Sequence, residues 1–424
     1  GFRVLASGLP GMNSLAMNAA GRLFATQVFA GDALWEFDPA GKQPPRKIME
    51  NMGGLNGFDF GPDGRLCGPL WFKGVVVCID VDSAAMDVVA EGFVVPAAAN
   101  FDSKGRLHAI DNETGEVFRI DTAQRTRERV AVAPSNLDNL AFSADDRLFV
   151  SNMSDNAIYE VPLDGGAVRR VVGSPLSLPG GIGLVGGTLY VADTFTLSAV
   201  DLASGEVRDI DRSLATNGFP TALAASTTRV LSASFESGTV QAREPGGRLL
   251  RQWTGLAAPS AVAILPDGGY LVAETRSGKL LRLDERRPEE RETWAEGLAQ
   301  PMGLAVAGRT VYVSESAVGA VSVIGGPAQT PRRLLEGLAL PEGLALLPDG
   351  RLAIAETGRG RLLLLDPETG ATETVATGLP IGLPDIPGQP PGIFPTGVAA
   401  GADGTVYLSS DRESSILRLP PPLP

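Results

Sequence analysis

Carboxylate and amide side chains recur at two fixed places in a repeated unit, and they are the residues of this chain best suited to chemistry. One place directly precedes a Gly-Leu-Ala-type apolar run, and we call its residues the inner set. The other ends the next apolar run, typically as Ala-Glu, Ala-Asp or Ser-Asn, and we call its residues the strand-end set. The inner set is Asn13, Asn56, Ala97, Asp138, Gly180, Thr221, Ser260, Met302, Glu342 and Thr396. The strand-end set is Gln27, Leu70, Asp111, Asn152, Asp193, Ser234, Glu274, Glu315, Glu356 and Ser410. Such oxygen-rich groups transfer protons or bind a hard divalent cation.

The elements that position these residues come from a unit of about 41 residues that recurs ten times. The best preserved copies begin at Pro259 and Pro341, and each has a short apolar run, a Pro-Asp-Gly turn and a second run. Two further strand-length segments follow, of which the last is the most polar, as expected of an outer edge strand. No segment shows a convincing helical period. Four-stranded units repeated about an axis predict an all-β protein, a β-propeller.

The two ends of the chain indicate how the ring closes. The tenth copy ends after its third strand, 415–419, and residues 3–10 resemble the outer-strand segment 333–341. The sequence therefore predicts a single domain, 1–424, with one ring of about ten four-stranded blades in which an N-terminal strand, 1–8, completes the last blade. Two five-bladed rings are the alternative, which is disfavoured because the fifth copy already owns a fourth strand at 206–210. The blades are expected to start near residues 9, 52, 93, 134, 175, 217, 258, 300, 340 and 395.

Composition limits the classes of partner. The net charge of −13 disfavours nucleic acids and anionic membranes, and no apolar run is long enough to span a bilayer. A small-molecule substrate and a monomeric state are expected. Scarce lysine with abundant arginine, alanine, glycine and proline fits the codon usage of a GC-rich bacterial genome. A secreted or periplasmic location is favoured over a cytoplasmic one.

Cysteine and histidine restrict the chemistry further. Cys67 and Cys78 fall on the second and third strands of the second blade, where a cross-strand disulfide and two reduced thiols are both open. The one histidine, His108, occupies a strand position that Phe149 and Tyr190 fill in other copies, so it is expected to pack. A Ser-His-Asp hydrolase is therefore disfavoured.

The blade motifs carry a family resemblance. The segment 56–64 (Asn-Gly-Phe-Asp-Phe-Gly-Pro-Asp-Gly), Val191-Ala192-Asp193 and Pro341-Glu342-Gly343 resemble NHL-repeat propellers and the superfamily of senescence marker protein, gluconolactonase and strictosidine-synthase-like proteins. The lactonases of this superfamily have six blades and hold a divalent cation, usually calcium, on the channel axis. The resemblance implies Glu342, Asn56 and Asp193 as its ligands here.

A ten-bladed ring changes this expectation. Sheets packed about 10 Å apart imply a ring on the order of 30 Å across, so ligands from the second, fifth and ninth blades would not converge. The predicted site then belongs to one of two sectors. Blades two to five have the denser oxygen cluster and give the predicted metal ligands Asn56, Asp138 and Asp193, for a cation expected to be Ca²⁺. Blades nine, ten and one hold Glu342 and Glu356 as predicted catalytic groups, next to a long insertion at 378–394.

The remaining candidates are substrate-binding residues on the same face. They are Asn13, Trp71, Phe72, Thr396 and Arg412. Together the residues favour a lactonase- or esterase-like hydrolase that acts on a small organic substrate with a divalent cation. A non-hydrolytic lyase or cyclase, with Glu342 or Glu356 as acid–base, and a non-catalytic binding propeller are the alternatives. Strand-end carboxylates that only hydrogen-bond loop amides would explain their recurrence equally well.

Overall fold

The computed structural model describes residues 4–383 and 394–421. Their regular structure is almost entirely antiparallel sheet, in ten sheets whose strands pair in sequence order. Nine of these sheets have four described strands and the tenth has three. A short helix, α1 (Leu214–Asn217), and two 3₁₀ turns, Ser316–Val318 and Thr357–Arg359, complete the described elements. The predicted all-β propeller with about ten blades is confirmed.

The chain divides into two compact units, residues 1–174 and residues 175–424. Unit 1 holds blades 1 to 4, and the inner strands of successive blades are neighbours. Its strands are β1 Met12–Met17, β2 Leu23–Gln27, β3 Ala33–Phe37, β4 Arg46–Glu50, β5 Asp59–Phe60, β6 Leu66–Leu70, β7 Val75–Asp80, β8 Ala85–Glu91, β9 Pro96–Phe101, β10 Leu107–Asp111, β11 Glu116–Asp121, β12 Thr126–Val132, β13 Leu137–Phe142, β14 Leu148–Asn152, β15 Ala157–Val161 and β16 Arg169–Gly173.

Unit 2 holds blades 5 to 10, again with one sheet per blade. Its strands are β17 Ile182–Val185, β18 Thr188–Asp193, β19 Thr196–Asp201, β20 Val207–Asp211, β21 Ala222–Ala225, β22 Val230–Ser234, β23 Thr239–Arg243, β24 Leu249–Trp253, β25 Pro259–Ile264, β26 Tyr270–Glu274, β27 Lys279–Leu283, β28 Glu292–Ala295, β29 Pro301–Ala307, β30 Thr310–Glu315, β31 Ala320–Ile324, β32 Arg332–Leu335, β33 Pro341–Leu346, β34 Leu352–Glu356, β35 Arg361–Leu365, β36 Thr372–Thr377, β37 Val398–Ala400, β38 Val406–Ser410 and β39 Ser415–Leu419.

Unit 2 closes on itself as a ring of six blades. The inner strand β17 of blade 5 contacts β37 of blade 10, and each remaining inner strand contacts the next. The contact is apolar, since Ile182 and Val191 of blade 5 form one buried cluster with Ala399 and Tyr407 of blade 10. The Ser414 hydroxyl adds a hydrogen bond of 2.6 Å to the carbonyl oxygen of Ser177.

Glycine makes this closure possible. A Cβ atom on Gly397 would lie 2.5 Å from the carbonyl oxygen of Gly180 and 2.7 Å from the amide nitrogen of Ile182. A Cβ on Gly180 would in turn approach the Pro395 carbonyl oxygen at 3.4 Å. Any side chain at Gly397 would force the two strands apart, because contacts this short are not tolerated between non-bonded atoms.

The closure of unit 2 with six blades differs from the predicted single ring of ten blades and from the alternative of two five-bladed rings. Blades 5 and 10 are neighbours, which leaves six blades in the closed ring and four in unit 1. Residues 4–8 of the predicted closing strand belong to no strand, residues 1–3 lie outside the described part of the chain, and β39 is the outermost described strand of blade 10. Of the predicted insertion, residues 384–393 lie outside the described part of the chain.

The two cysteines settle the choice that the sequence left open. Cys67 and Cys78 are directly paired positions on β6 and β7 and form a disulfide. Both are buried in an apolar cluster with Val76, Ala99 and Leu107, which joins blades 2 and 3.

Ring closure makes a testable prediction about unit 2. A fragment of residues 175–424 should fold alone, because every inner strand of its ring already has two neighbours. A fragment of residues 217–424, which lacks blade 5, should not fold cooperatively, since the apolar face of blade 10 loses its cover. Thermal unfolding followed by circular dichroism distinguishes them. Failure of the longer fragment to show a cooperative transition would contradict the six-bladed closure.

Candidate functional site

The axis of unit 2 is a narrow cavity rather than a wide channel. Residues from all six inner strands line it, and its volume is about 50 Å³. The glycines that follow the inner set keep it narrow: a Cβ on Gly343 would lie 2.3 Å from the Thr396 carbonyl oxygen, and one on Gly303 2.2 Å from that of Glu342. A volume this small has room for water but not for an organic ligand, which would have to sit at the mouth of the cavity.

A β-bulge at the start of the inner strand sets the direction of several side chains of the inner set. In blade 9 the pairing between β33 and β34 shifts between Pro341 and Leu344, and this bulge contains Glu342. Equivalent shifts lie at the start of β1, β13, β25 and β29. A β-bulge redirects a side chain locally. This explains why residues of the inner set leave the regular strand pattern and vary between blades.

Glu342 is the most unusual member of the inner set. It is only 6% exposed, and no guanidinium or ammonium group is bonded to its carboxyl group among the described residues. The backbone N–H of Thr396 donates to its Oε2 at 2.7 Å. Burial raises the pKa of Glu342 to about 7, and the nearby charge of Asp411 acts in the same direction.

The contacts of Thr357 fit the protonated form of Glu342. The Thr357 Oγ1 lies 2.8 Å from the Leu340 carbonyl oxygen and 3.1 Å from Glu342 Oε1. A hydroxyl has one proton and can donate it to only one of these acceptors. When Glu342 is protonated, its O–H donates to Thr357, and Thr357 donates to Leu340. Every polar atom of this group is then satisfied without a buried charge.

Blade 10 supplies the other side of this group. Asp411 is 5% exposed, its Oδ2 accepts the Leu383 N–H at 2.7 Å, and burial raises its pKa. Its Oδ1 has no hydrogen-bond partner among the described residues. Glu342, Thr357, Thr396 and Asp411 therefore form a buried polar cluster in blades 9 and 10 of unit 2, which we call the Glu342 cluster.

The strand-end carboxylates have a different role. Each accepts a backbone N–H from the segment that enters its own blade: Glu274 from Ala257 at 2.8 Å, Glu315 from Ala299 at 2.7 Å and Glu356 from Ala339 at 2.8 Å. Arg359 and Arg361 also bond to both oxygens of Glu356. These strand-end carboxylates thus fasten the entry segments of blades 7, 8 and 9, which accounts for their recurrence there.

The predicted metal ligands are divided between the two units. Asn56 and Asp138 belong to unit 1 and Asp193 to unit 2. Both oxygens of Asp193 accept the backbone N–H of Ser177, at 3.0 and 2.8 Å, and Leu178 N–H donates at 2.6 Å. Burial raises the pKa of Asp193 to about 7 and also raises that of Asp138. No cluster of three or more His, Cys, Asp or Glu side chains suited to a metal occurs in the described ranges. These residues do not fit the calcium ion that the resemblance implies.

The predicted substrate-binding residues separate in the same way. Thr396 lies in the Glu342 cluster, and Arg412 of the same unit is exposed, with its Nε donating to the Gly382 carbonyl at 2.7 Å. Asn13 is exposed in unit 1. Trp71 and Phe72, also in unit 1, each contact the exposed ring of Phe29 edge-on, at 5.6 and 6.0 Å between centroids.

Thr357 is the residue that the sequence interpretation missed. A hydroxyl residue follows the strand-end carboxylate in three successive blades, as Thr275, Ser316 and Thr357. Thr275 and Ser316 donate to the backbone carbonyl oxygens of Pro301 and Pro341, which belong to the next blade. Their repetition was the available signal, but only the bulged Glu342 brings a carboxyl group to the third.

The protonation of Glu342 should be visible in the stability of the protein. Its usual pKa is 4.5, whereas its pKa in the fold is about 7. The raised pKa favours the folded state fully below pH 4.5, and this contribution is lost as the pH rises to 7. Glu342→Gln cannot ionise, so its free energy of unfolding should not fall in this way. Relative to the wild type, it should rise by up to about 3 kcal/mol between pH 4.5 and pH 7. Urea unfolding at several pH values measures it, with the exposed Glu296→Gln as control. Parallel curves for wild type and Glu342→Gln would contradict the buried neutral acid.

The comparisons with known proteins add little to this geometry. No protein-family model matches the chain, and no curated protein matches it significantly. Among solved structures, virginiamycin B lyase from Staphylococcus aureus is 14% identical, with 62% of this chain and 92% of that chain covered and a TM-score of 0.31. A streptogramin B lyase is 12% identical over 63% and 92% of the two chains, with a TM-score of 0.33. A chain of a nidogen–laminin complex is 17% identical over 51% and 88%, with a TM-score of 0.32. Likenesses this weak carry no argument about activity, and the assignment of this chain as a β-propeller rests on its own ten sheets.

Proposed function

We propose that unit 2 is an enzyme that hydrolyses a small organic lactone or ester at the mouth of its ring, with Glu342 as general acid–base. The observation that carries the proposal is a buried carboxyl group without a bonded cation, whose pKa is about 7 and whose neighbours Gly343 and Thr396 line the axial cavity. A proton-transfer group works best when its pKa lies near the working pH. The six blades of unit 2 also agree with the blade number of the lactonases that the motifs resemble.

The proposed reaction uses the two protonation states of Glu342 in turn. The ionised carboxylate accepts a proton from a water molecule while the oxygen of that water attacks the carbonyl carbon of the substrate. The neutral acid then donates that proton to the leaving alkoxide as the C–O bond breaks. The products are a carboxylic acid and an alcohol, joined in one molecule when the substrate is a lactone. The amide of Thr396 and the hydroxyl of Thr357 hold the carboxyl group in place.

Glu356 is not assigned the proton-transfer role, although the sequence favoured it equally. Arg359 and Arg361 bond to its two oxygens, and the Ala339 N–H occupies Oε1 as well. Both oxygens of Glu356 are therefore occupied by hydrogen-bond donors of the protein itself. No step passes through a metal ion, because the predicted ligands do not fit one.

The test is a turnover screen of the full chain against γ- and δ-lactones and aryl esters. Activity should rise with pH to a plateau above about pH 7, as for a base with the pKa of Glu342, and should survive EDTA. Glu342→Gln should lower kcat/KM by at least about 100-fold, within the range found for loss of a general base. Glu356→Gln is the matched control, and it should lower stability without moving the pH profile.

Product masses separate the alternatives. Hydrolysis adds one water to the substrate, whereas a lyase or cyclase adds none. Turnover without water addition would replace the hydrolase with the second reaction class while keeping Glu342 as the acid–base. Absence of turnover, or an unchanged pH profile in Glu342→Gln, would contradict the proposed function and favour a binding propeller.

A further inference from the structure

Each blade of a propeller has two apolar faces, and unit 2 shows how they pair. We call the face toward the preceding blade the leading face, and the face toward the following blade the trailing face. The leading face of blade 9 presents Leu344, Leu352 and Ile354, which are buried against Ala305 and Tyr312 of the trailing face of blade 8. Both faces must be covered, because each is a continuous apolar surface.

Blade 1 repeats the leading-face pattern but lacks the cover. Leu15 pairs with Ala25 and Met17 with Leu23, in the same register as Leu344 with Ile354 and Leu346 with Leu352. Leu15 is 70% exposed and Met17 is 55% exposed, whereas Leu344 is 5% exposed. A groove of about 380 Å³ lies on this face between the strands and residues 4–9.

Blade 4 shows the complementary defect on its trailing face. Ala141 pairs with Phe149, and Ser151 pairs with Ile158. Ala141 and Ile158 are exposed, as is Val172 on the neighbouring outer strand. Glu160, at the rim, already pairs with Arg147 and Arg169, so covering this face would leave no carboxylate without a partner there.

Blade 10 shows what such a trailing face covers. Its Ala399 pairs with Tyr407, and its Ser409 pairs with Ile416, in the same arrangement as in blade 4. These apolar residues pack on Ile182 and Leu189 of the leading face of blade 5. The exposed faces of blades 4 and 1 are thus the two halves of a contact that the same chain forms elsewhere.

We propose that a second copy of this chain covers both faces, with blade 4 of each copy against blade 1 of the other. Two units of four blades then complete a ring of eight, which lies within the usual range of four to eight blades, whereas three units would give twelve. The contact joins unlike faces, but it closes after two copies by a twofold rotation. The proposed dimer differs from the monomer expected from the sequence, and this inference does not depend on the activity proposed for unit 2.

Sedimentation velocity of the full chain at concentrations from about 1 to 100 μM, a range that spans typical dimer affinities, tests the proposal. The wild type should sediment as a species of twice the chain mass, and Leu15→Asp should sediment as a monomer with an unchanged circular dichroism spectrum. Leu249→Asp is the matched control, because Leu249 is a 42% exposed apolar residue on an outer strand of unit 2. This control should remain dimeric.

A mixture of variants tests which faces meet. Leu15→Asp and Ile158→Lys should each be monomeric alone, but their mixture should form a dimer with one native contact and one Asp–Lys contact. Recovery of the dimer also shows that both variants are folded. A monomeric wild type at every concentration, a dimeric Leu15→Asp, or two folded variants that fail to associate when mixed would each overturn the proposal.

Discussion

The requirement that both faces of every blade be buried is the constraint on which this structure depends. A single four-stranded sheet of this sequence carries aliphatic residues on both sides, so it is stable only between two neighbours. In unit 2 every blade lies between two neighbours, because the trailing face of blade 10 covers the leading face of blade 5. The closure also sets the width of the axis. The six inner strands approach one another closely at their glycines, and the axial cavity between them has a volume of only about 50 Å³. Any chemistry is therefore confined to the mouth of the ring.

Within this frame, the acidic residues divide by what surrounds them. The strand-end carboxylates are satisfied by backbone amides of their own blades, and Glu356 also by two arginines. They exchange the solvation lost on burial for hydrogen bonds, which is the usual condition for a buried charge. Glu342 has only one backbone donor and a shared hydroxyl, so its neutral form is favoured. Glu342 lies in the bulge at the start of β33 and bonds to the amide of Thr396 in blade 10, whereas the strand-end carboxylates bond within their own blades.

Much of the fold was predictable from the sequence, because period, turns and apolar runs are local properties. The ten blades, the mainly structural role of strand ends such as Glu274 and the pairing position of Cys67 and Cys78 follow from such patterns. The ring closure was not predictable in this way. Sheets of nearly identical composition accept any neighbour of the same kind, so blade 10 could in principle cover blade 5 or blade 1. The discriminating signal was the close approach of Gly397 to Gly180 and Gly181, which becomes interpretable only with the strands in place.

The same ambiguity explains why the site was only partly predicted. Glu342 and Thr396 were identified because both belong to the inner set, and their proximity requires only that blades 9 and 10 be adjacent. Asn56 and Asp138 were joined to Asp193 on the assumption of one continuous rim, and the division into two units removes that assumption. A site residue inferred by resemblance to a six-bladed family has the same neighbours only in a ring that also has six blades. Glu342 lies in the six-bladed unit 2 and Asn56 in unit 1. The proposal of proton transfer therefore rests on the surroundings of Glu342 alone and not on the ligand set of the family.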